Sequence, residues 1–307
     1  MASAIANAIH YLSCHRNVVQ GIMDKRAIEE ELFELVARTA TSLPEDVEAA
    51  LKQAAERAEA ASAERNALET MLDNARLARE RRLPICQDTG VLIFTVRAPS
   101  GYSHRQFEEQ ARHAVARATA AGMLRQNCVE TLSGRNTGNN IGMGSPVFHW
   151  IEEDIGHLEV TLMLKGGGSE NMGAQYSLPD ARLGAGRDLE GVRLCILDAV
   201  CRAQGMGCAP GILGVAIGGD RATGYEESKV QLLRRLGERS VNPQLAALER
   251  RILEEANSLG IGAMGFGGKT TLLDVFIGER SRLPACYFVS ISYMCWCCRR
   301  QCIKLKL

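Results

Sequence analysis

The 307-residue sequence carries no net charge: 36 Lys and Arg balance 36 Asp and Glu. No overall field favours nucleic acid or an anionic lipid surface, so an anionic substrate must be captured by local charges. No apolar run reaches the length of a membrane span. Residues 1–17 have neither a charge before His10 nor a sustained apolar core with a cleavage site, so they do not read as a signal peptide. These absences predict a cytoplasmic protein with no membrane and no nucleic-acid partner. In such a reducing compartment the eleven cysteines are read as buried small hydrophobes, nucleophiles or metal ligands, not as a disulfide framework. Two further gaps are local. Residues 25–82 contain no glycine and one proline, Pro44, and no histidine follows His157.

What is present fits a globular protein, with 46% hydrophobic and 23% charged residues. The glycine-free stretch, rich in Ala, Glu, Leu and Arg, predicts two helices split near 41–44, where Pro44 and the following acids mark a helix start. It reads as a packing and assembly region. From residue 83 the composition changes. Strands are predicted at 91–96, 158–164, 212–217, 273–277 and 287–293, and helices at 104–121, 189–204 and 244–259. With no regular βαβ period, the expected fold class is α+β: mixed sheets with packed helices, a helical region over 1–82 and a catalytic domain over 83–307.

Two familiar patterns fail on context. Gly260-Ile-Gly-Ala-Met-Gly265 matches G-x-G-x-x-G, but a dinucleotide loop must follow a strand and open a helix, and this one follows an amphipathic helix. Gly268-Lys269-Thr270 resembles the end of a P-loop. Ala263 stands where that motif needs glycine, and residues 272–277 look like strand.

Three cysteines differ from the rest by their neighbours. Cys86 precedes a strand in Pro84-Ile-Cys-Gln-Asp-Thr-Gly90. Cys208 lies in Gly205-Met-Gly-Cys-Ala-Pro-Gly211, whose glycines and proline forbid regular structure, and Cys295 ends a strand. Three thiolates suit a [4Fe–4S] cluster with one open iron, whereas four make an electron carrier. Cys14, Cys128, Cys195, Cys201 and Cys286 read as structural. Cys297, Cys298 and Cys302 crowd the C-terminus without a paired CxxC or a nearby histidine, which argues against a zinc site.

Six blocks carry a resemblance: Pro84-Ile-Cys-Gln-Asp-Thr-Gly90, Asn136-Thr-Gly138, Lys165-Gly-Gly-Gly-Ser-Glu-Asn171, Cys208-Ala-Pro-Gly211, Gly265-Phe-Gly-Gly-Lys-Thr-Thr271 and Cys295-Trp296 with Arg299-Arg300. In this order they resemble the class I fumarate hydratase and L-tartrate dehydratase family, in its alpha subunit or the N-terminal half of its single-chain members. The resemblance implies an iron–sulfur hydro-lyase. Cys86, Cys208 and Cys295 would hold the [4Fe–4S] cluster, and Gln87 and Asp88 would line the active site. Arg125 would grip a substrate carboxylate, and Gly168 would contact substrate through its backbone. Lys165, Asn136, Thr137 and Lys269 are carried over as substrate-binding positions. The chemistry agrees, since a guanidinium binds a carboxylate through two donors and consecutive glycines present N–H groups to an anion. A carboxylate at Asp88 would relay a proton or orient the base.

One departure concerns substrate. Relatives have histidine in a stretch that here reads Arg282-Leu283-Pro284, so L-tartrate dehydration stands beside fumarate hydration within the tricarboxylic acid cycle. The expected partners are a small dicarboxylic acid, a separate beta subunit and a second alpha chain paired through the N-terminal helices, giving a heterotetramer. The rival from another class is a non-catalytic iron–sulfur or zinc sensor, which has no need of Arg125 or the glycine run after Lys165.

Overall fold

A computed structural model describes residues 25–307. The readings of Cys14 and of the uncharged start lie outside the described residues. The helices are α1 (Lys25–Thr41), α2 (Glu45–Arg57), α3 (Ala63–Arg81), α4 (His104–Ala120), α5 (Gly167–Glu170), α6 (Leu189–Ala203), α7 (Arg221–Gln231) and α8 (Pro243–Ser258). The strands are β1 (Val91–Ala98), β2 (Val147–Glu152), β3 (His157–Lys165), β4 (Ala174–Ser177), β5 (Gly211–Gly218), β6 (Leu272–Arg280), β7 (Phe288–Met294) and β8 (Arg299–Lys306).

The chain forms two compact units, each discontinuous in sequence. The first, here the Cys86 unit, contains residues 25–44, Asp73–Gly167 and Cys297–Leu307. Its sheet has the order β2-β1-β3-β8, with β1 parallel to β2 and the other pairs antiparallel. Leu92, Phe94 and Val96 alternate along β1 and join Leu32, Val36, Phe107 and Ala114 in the core that α1 and α4 cover. Ser103 caps α4 by accepting the Gln106 N–H, and Gly122 follows the helix at φ +76°.

The second, the Cys208 unit, contains Glu45–Leu72 and Gly168–Trp296. Its sheet has the order β4-β7-β5-β6, with β5 parallel to β6 and antiparallel to β7. Every residue of β5 is buried, as expected of a strand covered on both faces. A side chain at Gly214 would fall onto the Ser228 carbonyl, so α7 packs directly on the β5 backbone. Two mixed sheets with packed helices and a helical N-terminal region make the fold α+β.

Four departures from expectation have local causes. Residues 25–82 form three helices, not two. Ala61 turns the chain at φ +58° and the Ser62 hydroxyl accepts the Arg65 N–H, so neither glycine nor proline is needed at the second break. Helix α7 was hidden by Gly218, Gly219 and Gly224 but carries a capping box of Asp220 and Thr223. The short strands β2 and β4 gave too little pattern. The cysteine-rich tail is β8, paired antiparallel with β3 from Arg299 opposite Leu164 to Lys306 opposite His157. Gly260 follows the end of α8 and β6 follows Gly268-Lys269-Thr270, as the rejection of both nucleotide motifs requires. Among the described residues no helix is long and apolar enough to cross a membrane.

Candidate active site

The sequence-selected residues divide between the units. Cys86, Gln87, Asp88, Arg125, Asn136, Thr137 and Lys165 lie in the Cys86 unit, and Gly168, Cys208, Lys269 and Cys295 in the other.

In the Cys86 unit, register does the assembling. The turn 86–90 leads into β1, Val91 pairs with Lys165 at the end of β3, and Leu164 pairs with Arg299 at the start of β8. The turn, the Lys165–Gly167 segment and Arg299 are therefore neighbours at one end of one sheet. Asp88 is the knot of this corner. Its Oδ1 accepts the Gly90 N–H at 2.9 Å and the Asn127 amide at 3.0 Å, and its Oδ2 accepts the Gly167 N–H at 2.6 Å. Its own N–H points at the Cys86 sulfur, 3.4 Å away, and its carbonyl accepts from Arg299 Nη2 at 2.8 Å. Gly90 must be glycine: its φ is +76°, and a Cβ there would lie 2.5 Å from the Lys165 carbonyl. Thr89 is buried and donates to the Arg125 carbonyl at 2.6 Å.

Arg125 is thus fixed by its backbone, which also accepts from the Asn140 amide at 2.9 Å. Its side chain is exposed, and among the described residues the guanidinium has no acid or hydrogen-bond partner. Gln87 is likewise exposed without a side-chain partner among them. Asn136 instead spends both ends of its amide on the loop, donating to the Gln126 carbonyl at 2.8 Å and accepting the Gly138 N–H at 2.8 Å. The Thr137 hydroxyl is buried with no partner. Lys165 is buried at the strand end, 1% exposed.

In the Cys208 unit, the antiparallel pair β5–β7 sets the start of β5 beside the end of β7, so Cys208 and Cys295 share one end of the sheet. The Trp296 N–H donates to the Cys208 carbonyl at 3.2 Å. Cys208 takes a left-handed φ of +56°, a conformation that costs a non-glycine residue of order 1 kcal/mol. The ring of Tyr293 is wedged against this turn, where a Cβ at Gly207 or Gly211 would collide with ring atoms. Burial, and then Cys295 and Cys208, push the Tyr293 phenol above its ordinary range. The segment 262–271 joins the same end, with the Met264 N–H on the Ala209 carbonyl at 2.9 Å and the Gly211 N–H on the Thr271 carbonyl at 2.9 Å. Lys269 is exposed, with Nζ 3.7 Å from Glu59, and Gly168 is also exposed.

Sequence reasoning missed three residues that hold these turns. Glu64, on the helical region read as free of chemistry, is buried and accepts the Lys269 N–H at 2.9 Å and the Thr270 N–H at 2.7 Å. Tyr293 and Arg299 are the other two. Tyr293, two residues before Cys295, offered an alternation signal, whereas nothing in the sequence marks Glu64. Among the described residues, no three His, Cys, Asp or Glu side chains form a ready metal site.

Comparison with known proteins gives the family. The chain is 46% identical over 274 residues to a putative fumarate hydratase class I of Geobacillus stearothermophilus, covering 88% of this chain and 53% of that protein. It therefore spans about half the length of that relative. It is 36% identical to a putative L(+)-tartrate dehydratase subunit alpha of Methanocaldococcus jannaschii, across 91% of this chain and 98% of the relative. A third relative, the L(+)-tartrate dehydratase subunit alpha of Escherichia coli strain UTI89, is 32% identical across 92% and 93%. The profile of fumarate hydratase (Fumerase) matches residues 29–304. The chain belongs to the fumarate hydratase (Fumerase) family.

Proposed function

We propose that the chain is the alpha subunit of a cytoplasmic iron–sulfur hydro-lyase that reversibly hydrates fumarate to malate. The observation that carries the reading is the pair of thiol-bearing turns, each rigidly built at the end of its own sheet, in a chain of this family. The donor set suits a [4Fe–4S] cluster: Cys86, Cys208 and Cys295 are thiols at turns, and a backbone N–H points at the Cys86 sulfur, a contact of the kind that tunes such clusters. When bound, a three-thiolate cluster supplies an open iron that acts as a Lewis acid on a substrate hydroxyl.

The chain's own groups would do the rest. The unpartnered Arg125 guanidinium binds one carboxylate through two donors, with Gln87 beside it on the Cys86 turn. The exposed backbone at Gly168 presents an N–H to the anion. Asp88, already holding three donors, orients the turn and the glycine run that faces substrate. Lys165, Asn136, Thr137 and Lys269 complete the substrate-binding set as backbone-organising or cationic positions.

L-Tartrate is the second substrate reading, favoured by the two relatives named as tartrate dehydratase alpha subunits and by Leu283. Those names also support a separate beta subunit. A further pairing of alpha chains through their N-terminal helices would give a heterotetramer. The test is anaerobic reconstitution of the full chain with iron and sulfide, followed by assays with fumarate, malate and L-tartrate, with and without the beta chain. About four irons per chain, broad visible absorption and turnover dependent on the second chain are expected. Failure to assemble any cluster would overturn the reading, and robust turnover by the chain alone would remove the two-subunit part.

A further inference from the structure

Among the described residues, Arg299 is a buried cation without an ion-pair partner. Its residue is 1% exposed, and the one hydrogen bond of its side chain among them is Nη2 to the Asp88 carbonyl at 2.8 Å. Its Nε is buried with no acceptor, and no carboxylate lies within ion-pair distance among the described residues. The acid of this corner, Asp88, turns its two oxygens to the N–H groups of Gly90, Asn127 and Gly167 and makes no ion pair with Arg299. A charge removed from water without a partner costs several kcal/mol, and a fold retains it where an anion arrives to balance it.

The backbone indicates which anion. Asp88 gives its N–H to the Cys86 sulfur and its carbonyl to Arg299, so one residue separates the guanidinium from the thiol it helps to present. Gly166 is also near: a Cβ there would lie 3.9 Å from Arg299 Nη2. We propose that Arg299 is a positioning residue for the Cys86 ligand turn and the buried counter-charge of the anionic iron–sulfur centre held through Cys86. The inference rests on the iron–sulfur reading above and adds to it the source of the balancing positive charge. A nearby fixed cation favours the more negative, reduced form of a cluster and so raises its reduction potential.

The test compares wild type, Arg299→Met and Arg299→Lys as full chains, both apo and anaerobically reconstituted. Methionine removes the charge at similar volume, and lysine keeps it without the fork. Three results are expected. Arg299→Met lowers the melting temperature of the reconstituted chain more than that of the apo chain, because the buried charge lacks a close counter-charge only in the latter. It loses iron to a chelator about tenfold faster than wild type, and its cluster has a more negative midpoint potential. Arg299→Lys retains the wild-type potential. Equal or larger destabilisation of the apo chain by methionine, including failure of the apo variant to fold, would show a purely structural arginine and overturn the proposal. So would a wild-type potential in Arg299→Met, or a lysine variant shifted as far as the methionine one. If wild type itself takes up no cluster, it is the iron–sulfur reading that fails.

Discussion

The two thiol-bearing turns are built by opposite means. The Cys86 turn is held by a polar lattice, in which one carboxylate collects three donors and a buried guanidinium takes the carbonyl behind it. The Cys208 turn is held by shape: glycines on either side of the cysteine make room for the Tyr293 ring, and the cysteine itself accepts a left-handed φ. A lattice of hydrogen bonds loses strength one bond at a time, since each bond to a carboxylate contributes roughly 1.5–3 kcal/mol net when buried, and less where solvent reaches it. A steric wedge has no partial state, because close-packed atoms cannot overlap. The first kind of turn should weaken gradually under substitution, and the second should fail abruptly.

The largest expected effect tests whether the two turns serve one centre. Cys86→Ser, Cys208→Ser and Cys295→Ser should each abolish the cluster seen by iron analysis and visible absorption, while Cys195→Ser should leave it. An essential Cys128 or Cys286 in place of one of the three would refute the ligand set. Arg125→Ala comes next, with the cluster intact and kcat/KM reduced by the equivalent of roughly 2–5 kcal/mol. Arg125→Lys should recover little of that loss, because an ammonium cannot replace a planar fork. Near-normal kcat/KM in the alanine variant would take Arg125 out of the site.

Stability measurements then address the comparison directly. Gly211→Ala places a methyl group inside the Tyr293 ring and should cost roughly 1–3 kcal/mol or more in denaturant unfolding. Asn127→Ala, which removes one of the three donors to Asp88, should cost only about 0.5–1.5 kcal/mol, because this bond is exposed and water replaces the lost donor. Equal costs would erase the distinction between lattice and wedge. The smallest effect concerns pH. Cys195 is buried in the core of the Cys208 unit, and burial pushes its thiol up to about 12. A folded value above the unfolded one means that the stabilisation is complete below roughly pH 8.5, the unperturbed thiol range. It is lost as pH rises through the folded value. Cys195→Ala should therefore flatten the alkaline fall in melting temperature. A fall as steep as in wild type would remove Cys195 as a contributor.

Candidate site turns were legible in the sequence wherever chemistry constrains neighbours in the chain. Pro84-Ile-Cys-Gln-Asp-Thr-Gly90 could be read as a ligand turn because the glycine must adopt positive φ and the aspartate must reach back to its own loop two residues on. The run Gly205 to Gly211 announced close approach, though not that the approaching group is Tyr293. Glu64 was invisible as a site residue, and Arg299 stood in a family block without a role, for a different reason. Their partners are 205 or 206 and 211 residues away, and only the folded chain brings them together. The pairing of the tail was hidden in the same way. Cysteine and basic residues in 297–307 suggest nothing regular until β3 provides the edge on which they pair.

The sequence by itself determined the longer helices and strands and the glycines that shape the cysteine turns, because these follow from periodicity and local dihedral limits, while the three candidate ligand cysteines came from their neighbours and the family resemblance. Tertiary structure alone decided which end of each sheet carries a turn and which distant groups hold it there. Register is the physical reason. A one-residue slip of β8 against β3 would turn Arg299 to the opposite face of the sheet, and a slip of β7 against β5 would withdraw Tyr293 from Gly211. That pairing is chosen by burial of the whole core, a quantity spread over the entire chain and carried by no single motif.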